Sequence, residues 1–500
     1  MQKTDSIIQR QRIVFVDIKI FLLKIFKRNT SFIFSTKGNY MFNRREFLMN
    51  SALLGSAAMF LPACVSTPKM RKFGPNDKVN VAIVGIGGRG ASTVKAIDEC
   101  HRANIVAFCD VDEQRVAKAK SVKVATAKKK IPLFHDYRVM LDKMDKDIDA
   151  VAVCTPDHMH YPICAWAIAK GKHIFCEKPL TRTIWEAREL KRLANEAGVK
   201  SQMGNQGHTY HGWKELREWV EAGLLGEIEE IYMWTNRPLW PQGASLSMPK
   251  AQPIPTTLDY KLWLGVAPFQ PYNQVILPFN WRGIRNYGTG AAGDMACHFF
   301  DTPYSGLNLG YPTNINVKSA PFNDYSFPAY TEMVMDFDNK FGKGGKIRLN
   351  WSDGKIRPKA VKRIDDAFMK DPRNANCLFV VGSKATFGGT HYGTQSMIYP
   401  RDMMREYKKN GMIPAPKYKR SKTPGNPQAD WVYAIANDTT PESNFDYACP
   451  FTEMVLLSMV GALVPNRDLK YNPEKMKFDN CPEADRLVSS LYDYNTEFLP

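Results

Sequence analysis

Val79-Asn80-Val81-Ala82-Ile83-Val84 runs directly into Gly85-Ile86-Gly87-Gly88-Arg89-Gly90, and a helical apolar pattern through Ala91, Val94 and Ile97 follows. The first run is β-branched and small, as a strand buried on both faces requires. The second has the spacing G-x-G-x-x-G of a strand-to-helix turn that receives a pyrophosphate. A lone glycine motif carries little weight, but here a second apolar run, 104–109, ends on Asp110, twenty residues beyond Gly90. A dinucleotide-binding βαβ unit needs a carboxylate at that place for the adenosine ribose hydroxyls. Each glycine acts by absence: Gly85 permits the tight turn, Gly87 lets backbone approach the phosphates, and Gly90 lets the helix close on the strand. Gly88 and Arg89 complete the loop, and the free N–H groups at the helix start face the phosphates. Asp110 favours NAD over NADP because it repels a 2′-phosphate, while Arg89 acts in the opposite sense.

Outward from this unit the alternation continues through helix 113–128, strand 150–154, helix 161–170, strand 173–176, helix 184–197 and strand 200–203. Strands that are apolar throughout, alternating with helices, predict a parallel sheet covered on both faces. Ligands of such sheets lie beyond the carboxyl ends of the strands. That rule places Gly85, Asp110, Thr155-Pro156, Glu177-Lys178-Pro179 and Asn205-Gln206 around one cleft. Past Gly204 the pattern changes to helix 212–222, strand 227–234 and a loop with Pro238, Pro241, Pro249, Pro253 and Pro255, unsuited to a sheet interior. Strands 332–337, 346–351 and 377–381 and a helix 451–464 follow. The predicted fold class is α/β: an N-terminal Rossmann parallel sheet over 78–204, then a C-terminal α/β domain over 205–500 with a largely antiparallel open sheet.

Within the second half, Gly288-Thr289-Gly290-Ala291-Ala292-Gly293-Asp294-Met295-Ala296-Cys297-His298 stands out. If Asp294 opens a helix, it shares a face with His298 four residues on. A carboxylate there orients an imidazole and raises its basicity, which suits a general base for a hydroxyl proton. The bland alternative is a helix cap beside a satisfied histidine. Together, the glycine turn, Thr155-Pro156, Glu177-Lys178-Pro179 and the Asp294/His298 pair resemble the Gfo/Idh/MocA family of oxidoreductases, from about Val79 onward. That resemblance implies a Rossmann domain, a C-terminal domain whose sheet covers the cofactor and often mediates oligomerisation, a catalytic relay at Lys178 with a cis Lys178–Pro179 bond, and substrate contacts at Asp294 and His298. Cys297 departs from the pattern and leaves the helix start open. A neighbouring nicotinamide cation and partial burial both favour the neutral form of Lys178. Trp281, Arg282 and Tyr287, with Trp234, Trp240, Trp263 and Arg285, offer stacking faces and donors for a sugar ring, or else fill the core. His158 and His160 have no carboxylate or thiolate partners at ligand spacing, so no metal is expected.

The formal charge of +18 resembles a nucleic-acid signature until it is located. Residues 1–40 carry +6 and residues 41–78 carry +4, leaving +8 spread over the long remainder. No nucleic-acid partner is expected from that distribution. Asn43-Arg44-Arg45-Glu46-Phe47-Leu48, the apolar stretch 51–61 and Leu61-Pro62-Ala63-Cys64 read as a twin-arginine region, a short hydrophobic region and a lipobox. The reading is a Tat and lipoprotein signal over 41–64, lipidation at Cys64, a tether over 65–77, and residues 1–40 as an upstream over-read with Met41 the true start. The implied address is the periplasm or a membrane, reached only through the lipid anchor. The ten cysteines form no C-x-x-C pair and no disulfide framework.

A Tat substrate crosses the membrane folded, whereas NAD is cytosolic. The expectation is therefore an oxidoreductase acting on a sugar, polyol or glycoside hydroxyl with a retained NAD(H), assembled as a homo-oligomer. The alternative is an NAD-dependent glycosidase that oxidises, eliminates, hydrates and re-reduces, outside the two-carboxylate rule. A second alternative is a non-catalytic sugar-binding lipoprotein.

Overall fold

The computed structural model describes residues 71–489 and 492–500. The signal 41–64 with Cys64, the segment 1–40 and the tether up to residue 70 lie outside the described residues. The first sheet holds six strands in the order β3-β2-β1-β4-β5-β6, all parallel. They are β1 (Val79–Val84), β2 (Ala103–Cys109), β3 (Leu133–Phe134), β4 (Ala150–Val153), β5 (His173–Glu177) and β6 (Ser201–Gly204). This order reverses between β1 and β4, which opens a crevice at the carboxyl ends. Helix α1 (Gly90–Asp98) follows the glycine turn and buries Thr93, Val94 and Ile97. The single helix expected over 113–128 is instead two, Glu113–Lys118 and Lys120–Lys128, broken at an extended Ala119. The first buries no residue and the second buries Val122 and Ala125, so no continuous apolar stripe holds one straight rod. Helix α2 (Ile184–Ala197) has the expected limits, because Thr183 and Glu186 form a reciprocal capping box and Gly198 closes the end at φ 67°.

The second sheet has eight strands, and its core members are β7 (Ile228–Trp234), β8 (Asn314–Ser319), β9 (Thr331–Lys343), β10 (Lys346–Ser352), β11 (Cys377–Gly382), β12 (Thr386–Gly389) and β13 (Met397–Tyr399). β7 and β10 run parallel, while β10–β9, β11–β7, β11–β12, β12–β13 and β8–β9 are antiparallel. The sheet is thus mixed and mostly antiparallel, as expected. Along β9, buried residues alternate with exposed or half-buried ones, so there one face is packed and the other open, whereas β11 is buried on both faces, with Cys377, Phe379 and Val381 against Val361, Ile364 and Met369.

Three features escape the local pattern. Helix α3 (Gly290–Phe299) is buried along its whole length. Helix α4 (Pro427–Ala436), far along the chain, returns to the first sheet, where Ala429, Trp431 and Val432 join the core of Val79, Val81, Ile83 and Phe175. Helix α5 (Phe445–Leu463) begins six residues before its expected start, because Asn444 caps it by accepting from Asp446 and Tyr447 N–H. Pro450 lies inside it, and burial of Phe445, Ala448 and Cys449 outweighs the missing donor.

Trp431 is fully buried, with its ring 5.8 Å from that of Phe175. Trp431→Ala should destabilise the fold by about 3–5 kcal/mol in urea unfolding, whereas Phe269→Ala, at an 81% exposed position, should stay within about 0.5 kcal/mol. Equal effects would show that α4 does not close this sheet.

Candidate active site

The carboxyl ends of the first sheet and segments of the second converge on a cavity of about 530 Å³. At one end lies the glycine turn. Gly85 has φ +80°, and a Cβ on it would sit 2.8 Å from the Cys154 carbonyl oxygen. A Cβ on Gly90 would collide with the Gly85 carbonyl, so Gly90 lies under the floor while Gly85, Gly87, Gly88 and Arg89 line it. The Asp110 Oδ2 accepts from the Ile86 and Gly87 N–H groups at 2.7 and 2.9 Å. Its Oδ1 accepts from Asp112 N–H at 3.0 Å. Burial raises its carboxyl pKa in spite of these bonds. The acid thus holds the turn rigid while facing the cavity.

Arg89 departs from expectation. Its Nε donates to Glu177 Oε1 at 3.1 Å, and the charge of Glu177 raises the guanidinium pKa further. It therefore turns toward β5 rather than toward Asp110. The arginine over the glycine turn is Arg115, which donates to the Gly87 carbonyl at 2.9 Å. A bare turn, an open helix start and a carboxylate at the end of β2 fit an adenine dinucleotide.

At the other end, Lys178 follows β5, and its peptide bond to Pro179 is cis. His160 secures this turn: Nδ1 lies 2.8 Å from the Pro179 carbonyl and Nε2 lies 2.9 Å from the Thr155 carbonyl. His158 contacts the Trp263 carbonyl at 3.0 Å. Both histidines are spent on backbone, and among the described residues no group of three or more His, Cys, Asp or Glu side chains is placed to hold a metal.

Asp294 and His298 sit one turn apart on α3, which starts at Gly290, ahead of Asp294. The expected carboxylate–imidazole pair does not form. Lys178 Nζ donates to Asp294 Oδ1 and to the Asp294 carbonyl, both at 2.9 Å, and Arg282 Nε lies 3.4 Å from the same Oδ1. Two cations outbid a neutral ring for one carboxylate. Burial alone would lower the Lys178 pKa, but the charge and hydrogen bond of Asp294 outweigh it and hold the ammonium above its ordinary value. Of the two causes expected to neutralise Lys178, burial acts as expected but is overridden here by Asp294. Burial alone would likewise raise Asp294, yet Lys178 and Arg282 bring it below the ordinary carboxyl value. His298 is 5% exposed, and its Nδ1 has no hydrogen-bond partner. Burial first, then the Lys178 charge, pushes its pKa well below the ordinary imidazole value, so it is neutral. Cys297 lies buried in α3, its thiol donating to the Asp294 carbonyl at 3.2 Å, and burial raises its pKa to about 12.

The sugar-facing wall is partly as expected. Trp240, Trp263, Trp281 and Arg282 line the cavity, and the Arg282 guanidinium stacks 4.3 Å from the Trp281 ring and 4.7 Å from that of Phe279. Tyr287 does not line it. Its ring is fully buried against His158 and Trp263, and its hydroxyl donates to Gln270 at 3.0 Å. Trp234 is buried against Phe379, and Arg285 pairs with Asp324. Thr155, Pro156, Glu177 and Gln206 face the cavity. Asp157, Arg237, His391 and Tyr392 also line it, and the sequence reading missed all four. They come from three separate segments, His391 and Tyr392 being adjacent, with no shared spacing, although Asp157 follows the flagged Thr155-Pro156. Burial raises Asp157 to about 6, and it accepts from the Thr289 hydroxyl at 2.9 Å.

Residues 79–205 match the family model for the oxidoreductase family, NAD-binding Rossmann fold, and residues 213–350 match that for the C-terminal alpha/beta domain of the same family. The chain belongs to the Gfo/Idh/MocA oxidoreductase family. Among its relatives is a glycosyl hydrolase family 109 protein of Solibacter usitatus, 31% identical over 194 residues, which are 37% of this chain and 44% of that protein. Another is a 2,7-anhydro-N-acetylneuraminate hydratase of Mediterraneibacter gnavus, 28% identical over 163 residues, 32% of this chain and 40% of that protein. The chain therefore spans less than half the length of these two curated relatives. The WlbA dehydrogenase of Chromobacterium violaceum, solved with NADH and UDP-GlcNAcA, superposes with a TM-score of 0.54 at 16% identity, covering 81% of this chain and 99% of that one. At that identity the likeness shows the Gfo/Idh/MocA fold.

Asp294→Asn removes the charge that holds the Lys178 proton while leaving its burial. In ¹⁵N NMR of the lysine side chains, Lys178 should titrate above 10.5 in the parent and below 10.5 in this variant. An unchanged titration would contradict the assigned pair.

Proposed function

We propose that this Gfo/Idh/MocA protein is an NAD(H)-dependent oxidoreductase acting on a hydroxyl of a sugar, polyol or glycoside. The observation that carries the reading is the Lys178–Asp294 contact, which brings the end of β5 and helix α3 together beside His298 in the cavity that holds the glycine turn. NAD, when bound, supplies the hydride acceptor. Gly85, Gly87, Gly88, Arg89, Asp110, Thr155, Pro156 and Glu177 would hold it. The neutral His298 accepts the hydroxyl proton at a ring nitrogen. The Lys178 ammonium, fixed by Asp294, donates a hydrogen bond to the oxygen that develops negative charge. Trp240 and Trp281 offer apolar faces to the ring and exclude water from it.

The retained-cofactor reading rests on the sequence 43–64: a chain exported folded keeps its NAD(H), and the same site reduces and reoxidises it within one cycle. Lipidation at Cys64 then makes the protein a periplasmic or membrane-anchored lipoprotein. In this reading, copies associate through the open face of the eight-stranded sheet. The glycosyl hydrolase family 109 relative supports a second reading for the same residues: transient oxidation, loss of the glycosidic group, hydration and re-reduction.

Denaturing the purified protein should release NAD(H), and native protein should turn over a glycoside or sugar panel without added NAD. Net NADH formation that depends on added NAD would overturn cofactor retention, and no turnover under either condition would overturn the oxidoreductase reading. Lys178→Ala should lower kcat about 10²–10⁴-fold with cofactor still bound. Survival of full turnover would refute the assigned role.

Because His298 is neutral to well below its ordinary value, kcat/KM should stay level as pH falls through 6.5. A curve halved at pH 6.5 or above would contradict a buried, depressed His298 as the base.

A further inference from the structure

The sugar end of the cavity presents three cations, Lys178, Arg237 and Arg282, and two carboxylates, Asp157 and Asp294. Lys178 and Arg282 share Asp294, and Arg89 at the opposite end is matched by Glu177. Among the described residues the Arg237 guanidinium makes no hydrogen bond, ion pair or ring contact, and its charge reaches Asp294 only at longer range. Its backbone is nonetheless fixed: Arg237 N–H donates to Thr235 Oγ1 at 3.3 Å, and Gly354 N–H donates to the Arg237 carbonyl. The side chain is half-buried and lines the cavity together with His298 and His391. Its charge helps keep both imidazoles neutral. In the same lining, Nδ1 of His298 is unpartnered.

We propose that the substrate of this site carries a carboxylate, as a uronic acid or uronide does, and that Arg237 binds it. This rests on the sugar-oxidoreductase reading above and adds the substrate class. A half-buried guanidinium held on rigid backbone with no protein anion in contact is a vacant fork for a planar, bidentate partner. A neutral sugar leaves that charge unpaired, a costly arrangement away from water. The protein's own charged groups at this end sum to a surplus of one positive charge, the number that one carboxylate balances. His391, neutral and with its ring 4.0 Å from that of Tyr392, can add a single N–H donor to the same group.

The test uses full-length protein loaded with NAD, and isothermal titration with matched pairs: methyl glucuronide and methyl glucoside, methyl galacturonide and methyl galactoside, and glucose 6-phosphate. In at least one pair the acidic member should bind about 30-fold tighter, the size expected for a charge-assisted bidentate contact. Arg237→Met should reduce that preference to about 3-fold or less, and Arg237→Lys should keep an intermediate preference. Thermal melting and NAD content of both variants check that they remain folded and loaded. Equal or tighter binding of the neutral member in every pair, tighter binding of the phosphate, or a preference that survives Arg237→Met overturns the proposal. Tight binding of a uronide without any turnover leaves the proposal standing and refutes the oxidoreductase reading instead.

Discussion

The bond from Lys178 Nζ to Asp294 Oδ1 spans 2.9 Å and joins the first sheet to helix α3. Both side chains are largely removed from water, at 15% and 12% exposure, so neither charge is comfortable alone. Losing one partner of such a pair typically costs about 3–5 kcal/mol, because the other is left unpaired. The pair fixes the lysine as a cation and uses up the carboxylate. His298, one turn further along α3, keeps a free ring nitrogen and is neutral, through its burial first and the Lys178 charge second. Two groups of opposite habit, a donor and an acceptor of protons, result from burial and this one ion pair together.

The cofactor end follows a different constraint, that of space. Gly85 and Gly90 are required by the chain's own packing, since side chains there would strike backbone. Asp110 then ties the turn through two N–H groups. The glycine turn is thus shaped before any ligand arrives, and preorganisation of this kind spares the ordering cost of binding. Helix α4 reinforces the same sheet from the far end of the chain, with Trp431 filling the space over Phe175.

Much of this was legible in the sequence where a local rule decides the outcome. The limits of β1 and α2 follow from an apolar run and from the Thr183/Glu186 box, and the parallel order of the first sheet follows from alternation. The convergence of Gly85, Thr155, Glu177 and Lys178 follows from the rule that ligands lie at strand ends. Spacing shows that Asp294 and His298 share a helix, but it is silent on what faces them. The cations across the cleft captured Asp294, and no one-dimensional signal marks that. Arg237, His391 and Asp157 arrive on three separate loops, and Tyr287 carries the same aromatic cue as Trp281 while packing behind the wall. The return of α4 to the first sheet is likewise a long-range contact.

The central claim is that the dinucleotide's nicotinamide ring lies where the end of β5 meets helix α3. A crystal structure of the protein with NAD bound tests it most directly. The account predicts the adenosine ribose at Asp110 and the nicotinamide ring facing both Lys178 Nζ and the His298 imidazole. A nicotinamide ring lodged elsewhere, with Lys178 and His298 remote from it, would contradict it.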